Sequence, residues 1–203
     1  MVTDLKKNIN KEEIDRLPLF VFTGEVIVIE DPEHAAQAAR FLRENSFVGF
    51  DTETRPAFHK GERYKVGLLQ LATRDQVYLF RLNKCGFQPA LVRLLASPRI
   101  IKIGVGIRDD NRNLRKLTDF TPASFVDLQE YAGYFGIEDK SFSKLMAIIF
   151  GVKISKRQRT SNWEAPALTE AQIRYAATDA WGALKMYQRL TASAEEEALG
   201  IVK

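Results

Sequence analysis

Three separated places in the chain carry acids at spacings that suit metal-assisted hydrolysis. Asp51 and Glu53 stand two apart at the end of the apolar run FVGF. Residues two apart on a strand point to the same face, so both carboxylates can reach one ion. Tyr175 and Asp179 stand four apart in a stretch with helical character, so they share a face. That surface is otherwise made of small apolar residues, Ala176, Ala177 and Ala180. A carboxylate beside such a packing surface needs a partner, because burying it unpaired is costly, and a metal ion would supply one. Asp109 and Asp110 follow the run IIKIGVGI and open a helix. Asp110 precedes Leu114 by four residues and Leu117 by seven, which places it on the inward face of that helix. Asp109 is left as the helix cap, where the helix dipole favours an acid.

Each fragment has an ordinary explanation when read alone. Asp-x-Glu can end a strand at the solvent edge. A tyrosine can anchor in a core with an aspartate bonded to a backbone amide, and acids are common in a first helical turn. The combination in one chain carries the information.

Regular elements must bring these places together. Residues 46–54 read as a short apolar strand ending in the acids. Residues 65–73 and 76–82 are two more strands, and Arg74-Asp75 between them predicts a hairpin. Residues 20–31 read as a strand or hairpin around Gly24, 99–107 as a buried strand and 124–128 as a short one. Residues 32–45 form an amphipathic helix, with Asp31 as N-cap and Pro32 at its first position. Further helices are expected over 87–96, 109–117, 128–136 and 142–151, the last two stopped by glycine. Residues 168–199 read as one long helix or two. Residues 1–18 are a polar lead-in, loose or helical, while 55–64 form a polar loop and 153–163 a basic one. Strands come first and then alternate with helices, which gives an α/β fold with a mixed sheet and helices on its faces.

Composition narrows the chemistry. A length of 203 residues suits a single domain, with a core over about 20–190. Apolar residues at 45% and charged residues at 28% are ordinary globular usage. Cys85 is the only cysteine, so no intrachain disulfide forms, and His34 and His59 lie far from any Cys-x-x-C pattern. That argues against a zinc cage and leaves carboxylates, which favour Mg²⁺ or Mn²⁺. The N-terminal residues lack the long apolar run of a signal peptide, and no stretch reaches the roughly 18 apolar residues of a membrane span. A soluble, cytoplasmic chain with no membrane partner is expected. The net charge of +4 permits a polyanionic partner without demanding one, and protein partners are left open.

Longer words surround the acids: VGFDTETRPAFHKGERYKVGLLQLAT (48–73), IKIGVGIRDDNRNLRKL (101–117) and SNWEAPALTEAQIRYAATDAWGALKMYQRL (161–190). In this order they resemble the three motifs of the DEDD exonuclease superfamily, in its tyrosine-containing branch. The third is similar to the corresponding segment of RNase D and of the Werner-syndrome exonuclease domain. The resemblance covers about residues 20–190. It implies a ribonuclease H-like fold, a five-stranded mixed sheet flanked by helices. It also implies hydrolytic release of nucleoside 5′-monophosphates from the 3′ end of DNA or RNA. All five expected functional positions are kept: Asp51, Glu53, Asp110, Tyr175 and Asp179. RNase D carries further C-terminal helical domains, which this chain is expected to lack, so the choice between DNA and RNA stays open.

A phosphodiester repels hydroxide and has a poor leaving group, and two divalent ions about 3.5–4 Å apart address both problems. On that scheme Asp51 bridges the ions, Glu53 and Asp179 hold the water-bearing one, and Asp110 supports the second. Tyr175, with an ordinary pKa of about 10, stays protonated and positions the water. Lys153, Lys156, Arg157 and Arg159 are candidates for backbone phosphates, with a solvated charge run an equal case. Trp163 is a candidate for base stacking, although a tryptophan so placed more often packs beneath a helix. Thr52, Phe58 and His59 are candidates for contact with the substrate's terminal nucleotide.

Two other classes compete. Gly104-x-Gly106 after a strand suggests dinucleotide binding, but the third glycine position is Asp109, whose charge would repel a pyrophosphate. A non-catalytic nucleic-acid-binding module on the same fold would be favoured by a lost metal ligand, and none is lost.

Overall fold

Six strands form one mixed sheet: β1 (Glu25–Ile29), β2 (Phe47–Thr54), β3 (Val66–Ala72), β4 (Gln76–Arg81), β5 (Ile101–Gly104) and β6 (Phe125–Asp127). Their spatial order is β1-β4-β3-β2-β5-β6. The computed structural model describes residues 5–198. β3 lies near the middle and is buried at every position, as a strand covered on both faces must be. It runs antiparallel to β2 and β4, and Arg74-Asp75 closes the expected hairpin with Thr73 N donating to Gln76 O at 2.8 Å. β1 pairs parallel with β4, β5 with β2, and β6 with β5. The resemblance implied five strands; each of the six apolar segments finds a neighbour, so the sheet has six.

The helices are α1 (Lys11–Asp15), α2 (Pro32–Leu42), α3 (Leu82–Cys85), α4 (Pro89–Leu95), α5 (Arg108–Arg115), α6 (Leu128–Tyr131), α7 (Phe142–Phe150) and α8 (Glu170–Ala198). α2 starts as expected, with Pro32 in its first turn and the Asp31 carboxylate accepting from Glu33 N and His34 N. α6 runs into a 3₁₀ turn, Ala132–Phe135, rather than continuing as one helix. Gly136 and Gly151 take left-handed conformations that end their helices. The stretch left as one helix or two is a single helix of 29 residues. Among the described residues, no helix is long and apolar enough to cross a membrane.

Alternating side chains divide the sheet into two faces. Phe50, Leu69, Leu71 and Phe80 face Ala35, Ala39 and Leu42 of α2 and Leu91 and Leu94 of α4. Leu68, Ala72, Val77 and Leu79 face Ala176, Ala177 and Ala180 of α8, with Trp163 among them. The expected strand over 20–31 is shorter than predicted and makes no hairpin at Gly24. Its aromatic first half packs on α8 instead: Phe20 and Phe22 lie 5.6 and 5.2 Å from the Trp181 ring, and Phe22 N donates to Thr178 Oγ1 at 3.0 Å. In the described part of the polar lead-in, residues 5–18, an Asn10–Glu13 capping box starts α1 and Ile9 N donates to Asp139 Oδ2; residues 1–4 lie outside the described residues.

β2 and α8 touch backbone to backbone. A Cβ added at Gly49 would lie 2.0 Å from the Ala180 carbonyl oxygen. The helix therefore sits on the strand as closely as glycine and alanine allow. Gly49→Ala should lower stability by about 1–3 kcal/mol through overpacking, a fall in melting temperature of about 2–12 °C for a chain of this size. Gly133→Ala, where an added Cβ meets nothing within 4 Å, should stay within about 0.5 kcal/mol. Thermal melts of the two variants check this, and equal melting temperatures would mean that the close contact does not constrain the fold.

Candidate active site

β2 leaves the apolar core at Asp51, and the alternation that turns Gly49 toward α8 turns Asp51 and Glu53 the same way. The register slips between Glu53 and Thr54, which ends the regular pairing just past the acids. From above, α8 brings Asp179, the neighbour of Ala180 at the Gly49 contact. One ligand oxygen from each of Asp51, Glu53 and Asp179 lies within 4.8 Å of the others. Among the described residues this is the one cluster of three or more acids, histidines or cysteines so arranged.

Crowding raises the proton affinity of every acid in the group. Asp51 is held well above the usual carboxylate range by burial and by the charges of Asp179, Glu53 and Asp110. Burial, Asp179 and Asp110 push Glu53 up to about 9, against a smaller pull from Arg159. Asp179, only 9% exposed, rises to about 7 through burial, opposed by hydrogen bonding from Tyr175. Burial and the three carboxyl groups also push the Tyr175 phenol up, so it keeps its proton at any physiological pH. Three hard oxygen donors that repel one another, with no lysine or arginine buried among them, fit a divalent cation of the Mg²⁺ or Mn²⁺ kind.

Asp110 stands beside the trio rather than in it. Its Oδ1 accepts a hydrogen bond from Thr52 Oγ1, and burial raises its pKa against that bond. Its charge still reaches Asp51 and Glu53. Thr52 is therefore placed to hold an acid, a use the sequence reading did not consider. Leu114 is buried on the same helix, as the inward-face argument required. The cap assigned to Asp109 is overturned. α5 has no side-chain cap, and Asp109 is exposed and pairs with Arg112 at 2.9 Å. The turn before α5 is held instead by Asp127, whose carboxylate accepts from Gly106 N at 2.9 Å and Ile107 N at 3.2 Å. The signal was an acid ending a predicted strand, but its partners lie about 20 residues upstream.

The remaining candidates separate. Trp163 is fully buried, so no base can stack on it; its ring lies behind Tyr175 at 6.0 Å. Lys153 ties the N-terminal segment down, with its Nζ on Asp15 O at 2.5 Å and its backbone bonded to Pro18 and Phe20. Lys156, Arg157 and Arg159 are exposed. Arg157 lines a cleft of about 470 Å³ whose wall includes Tyr175 and Asp179. Phe58 and His59 project from the loop after β2, Phe58 at 75% exposure, with both backbone amides bonded to Glu62. A separate apolar cavity of about 500 Å³, lined by Phe20, Met146 and Trp181, contains none of the acids.

Residues 26–195 match a family model described as 3′-5′ exonuclease. The bifunctional 3′-5′ exonuclease/ATP-dependent helicase WRN of Mus musculus is 34% identical over 190 residues, covering 87% of this chain and 13% of that protein. Ribonuclease D of Gluconacetobacter diazotrophicus is 33% identical over 175 residues, covering 84% of this chain and 44% of that one. The chain thus spans less than half of each of these relatives. The crystal structure of the Aedes aegypti Nibbler EXO domain superposes with a TM-score of 0.78 at 22% identity, over 87% of this chain and 93% of that one. The likeness in structure is one of α/β fold.

The proton affinities give a signed test. Folded Asp179 and Glu53 retain protons at a pH where unfolded carboxyls, with pKa about 4, have lost them. The stability this gives is fully present below about pH 4 and fades as the pH rises through about 7 for Asp179 and about 9 for Glu53. In excess chelator the melting temperature should therefore fall from about pH 5 to about pH 9, and saturating Mg²⁺ or Mn²⁺ should flatten that slope. The Glu53→Gln/Asp179→Asn double variant should lose most of it. A level profile for the chelated wild type would show that the acids are not held together.

Proposed function

The chain belongs to the 3′-5′ exonuclease family, and on that premise we propose that it shortens nucleic acid from a free 3′ end, releasing nucleoside 5′-monophosphates. The observation that carries the proposal is the trio of carboxyl groups within 4.8 Å, next to a tyrosine that keeps its proton and opening on a cleft with an arginine in its wall.

Two Mg²⁺ or Mn²⁺ ions, when bound, supply an activated water and charge stabilisation for the leaving 3′ oxygen. Glu53 and Asp179 would hold one ion and Asp110 the other, with Asp51 serving both. Thr52 keeps Asp110 oriented through its hydroxyl. Tyr175 is a hydrogen-bonding group and not a base, because its proton is held too tightly to leave. Its role is to orient the attacking water against the scissile phosphate. Lys156, Arg157 and Arg159 bind backbone phosphates, which fixes the strand without reading its sequence. Phe58 and His59 reach the terminal nucleotide from the exposed loop after β2.

Matched DNA and RNA oligonucleotides, labelled at either end and incubated with Mg²⁺ or Mn²⁺, test the polarity and the metal requirement together. Mononucleotides should be released from the 3′ end, a 3′-blocked strand should resist, and chelation should stop release. Rapid cutting of closed single-stranded circles would make the enzyme an endonuclease.

Tyr175 and Asp179 share a helix face and should fail differently. Asp179→Asn should nearly abolish activity and weaken metal binding. Tyr175→Phe keeps the ring, so folding and metal binding should survive while single-turnover rate falls about 10²-fold. Wild-type turnover in Tyr175→Phe would reduce Tyr175 to a packing residue.

A further inference from the structure

Gln70 sits in the middle of β3 on the face that carries the acids. Its partner across the β2 pairing is Asp51, and its partner across the β4 pairing is Leu79. Directly opposed residues of an antiparallel pair point to the same side, with Cβ atoms about 4.5–5.5 Å apart. Leu68 and Ala72 flank Gln70 on the same face of its own strand, in the layer that α8 covers with its alanines. The residue is fully buried. Neither its amide nitrogen nor its amide oxygen has a hydrogen-bond partner among the described residues. Of the four strand positions around it, Asp51 alone offers a polar side chain.

Gln70 is the residue among the described ones with both side-chain polar atoms buried and unpartnered; Arg81 Nε, Asn111 Oδ1 and Trp163 Nε1 are single such atoms, and the buried cations are met largely by backbone oxygens. Lys102 donates to Ser97 O and Ile100 O, both at 2.7 Å. Arg81 donates to Ala165 O and Pro166 O and pairs with Glu30. A glutamine needed only to fill space at position 70 would be replaced at no loss by methionine, which has the same reach and no amide to satisfy. The amide is explained if it serves Asp51, the polar side chain directly opposed to it on the sheet.

Resting on the exonuclease reading, we infer that Gln70 is a positioning residue of the active site: its amide, unpaired among the described residues and directly opposed to Asp51 on the neighbouring strand, is the group that takes the Asp51 carboxylate when Asp51 turns its oxygens to a divalent cation. Groups that hydrogen-bond a ligating side chain orient it and strengthen the site, and their loss costs about 10–100-fold in metal affinity or activity.

The test uses Gln70→Met, which removes both polar atoms at constant length. The purified chain is titrated with Mn²⁺ by thermal shift, and turnover of an end-labelled oligonucleotide is measured at saturating Mn²⁺. In chelator the variant should melt at or above the wild-type temperature. Its half-saturating Mn²⁺ should rise about 10–100-fold, and turnover should fall while KM for the oligonucleotide stays within about twofold. Gln70→Asn keeps the amide but shortens its reach, and it should show the same Mn²⁺ shift. Wild-type half-saturation in either folded variant makes Gln70 a core residue and overturns the inference, whatever the melting temperature does. Failure of both variants to fold overturns it too, because a positioning group does not set the fold. A wild-type chain inactive on every oligonucleotide would strike the exonuclease reading instead, and the Mn²⁺ titration keeps the two failures apart.

Discussion

The contact between Gly49 and the Ala180 carbonyl sets the distance on which the rest of the site depends. A helix normally stands off a sheet by the width of two layers of side chains. Here one side is glycine and the other is a surface of Ala176, Ala177 and Ala180, all fully buried. That closeness lets the short side chain of Asp179 reach two acids on the strand below. The requirement explains why the start of β2 reads FVGF rather than an unbroken run of large residues. It also explains why α8 meets the sheet with Ala176, Ala177 and Ala180, since larger side chains there would push the acids apart.

Bringing three carboxyl groups together opposes folding, and the chain does little to relieve it from within. Buried cations elsewhere are answered by carbonyl oxygens, as at Lys102, whose Nζ has two of them and whose pKa burial lowers to about 8. Buried acids of structural use are answered by amides, as at Asp127, which accepts from three backbone N–H groups. Among the described residues the trio has less of it: the Thr52 backbone amide on Asp51, the Tyr175 hydroxyl on Asp179 and the charge of Arg159 on Glu53. A structural acid and a functional acid are thus told apart by whether the protein itself completes their bonding.

Much of this was legible from residue order. Short apolar runs bounded by turn residues located all six strands, because burial in a sheet leaves that mark directly. Asp51, Glu53 and Asp179 stood out through the three motif words around them in this order, since each spacing alone has an ordinary explanation. The errors occurred where partners lie far away in sequence. The run 20–24 has a strand's composition, but its aromatics pack on Trp181 of α8. Asp109 had a cap's position, yet the turn before α5 was already held by Asp127 from β6. Gln70 is hidden in VGLLQLA, a word whose burial on both faces removes the alternation that would mark one polar residue as unusual.

The fourth acid shows why the site is spread over three segments. Asp51 and Glu53 ride on β2 and Asp179 on α8, and the Gly49 contact locks those two elements together. Asp110 rides on α5, which is tied to the sheet through β5 and through the Asp127 clasp on the turn between them. The link from Asp110 to the trio is the Thr52 hydroxyl, on the opposite face of β2 from Asp51 and Glu53. A single strand therefore presents acids on one face and the tether for the remaining acid on the other. The spacing Asp51-Thr52-Glu53 then does more than set two acids on one face: the hydroxyl between them holds the Asp110 carboxylate. A valine there would keep the strand and its packing, yet leave Asp110 without the contact that aims it.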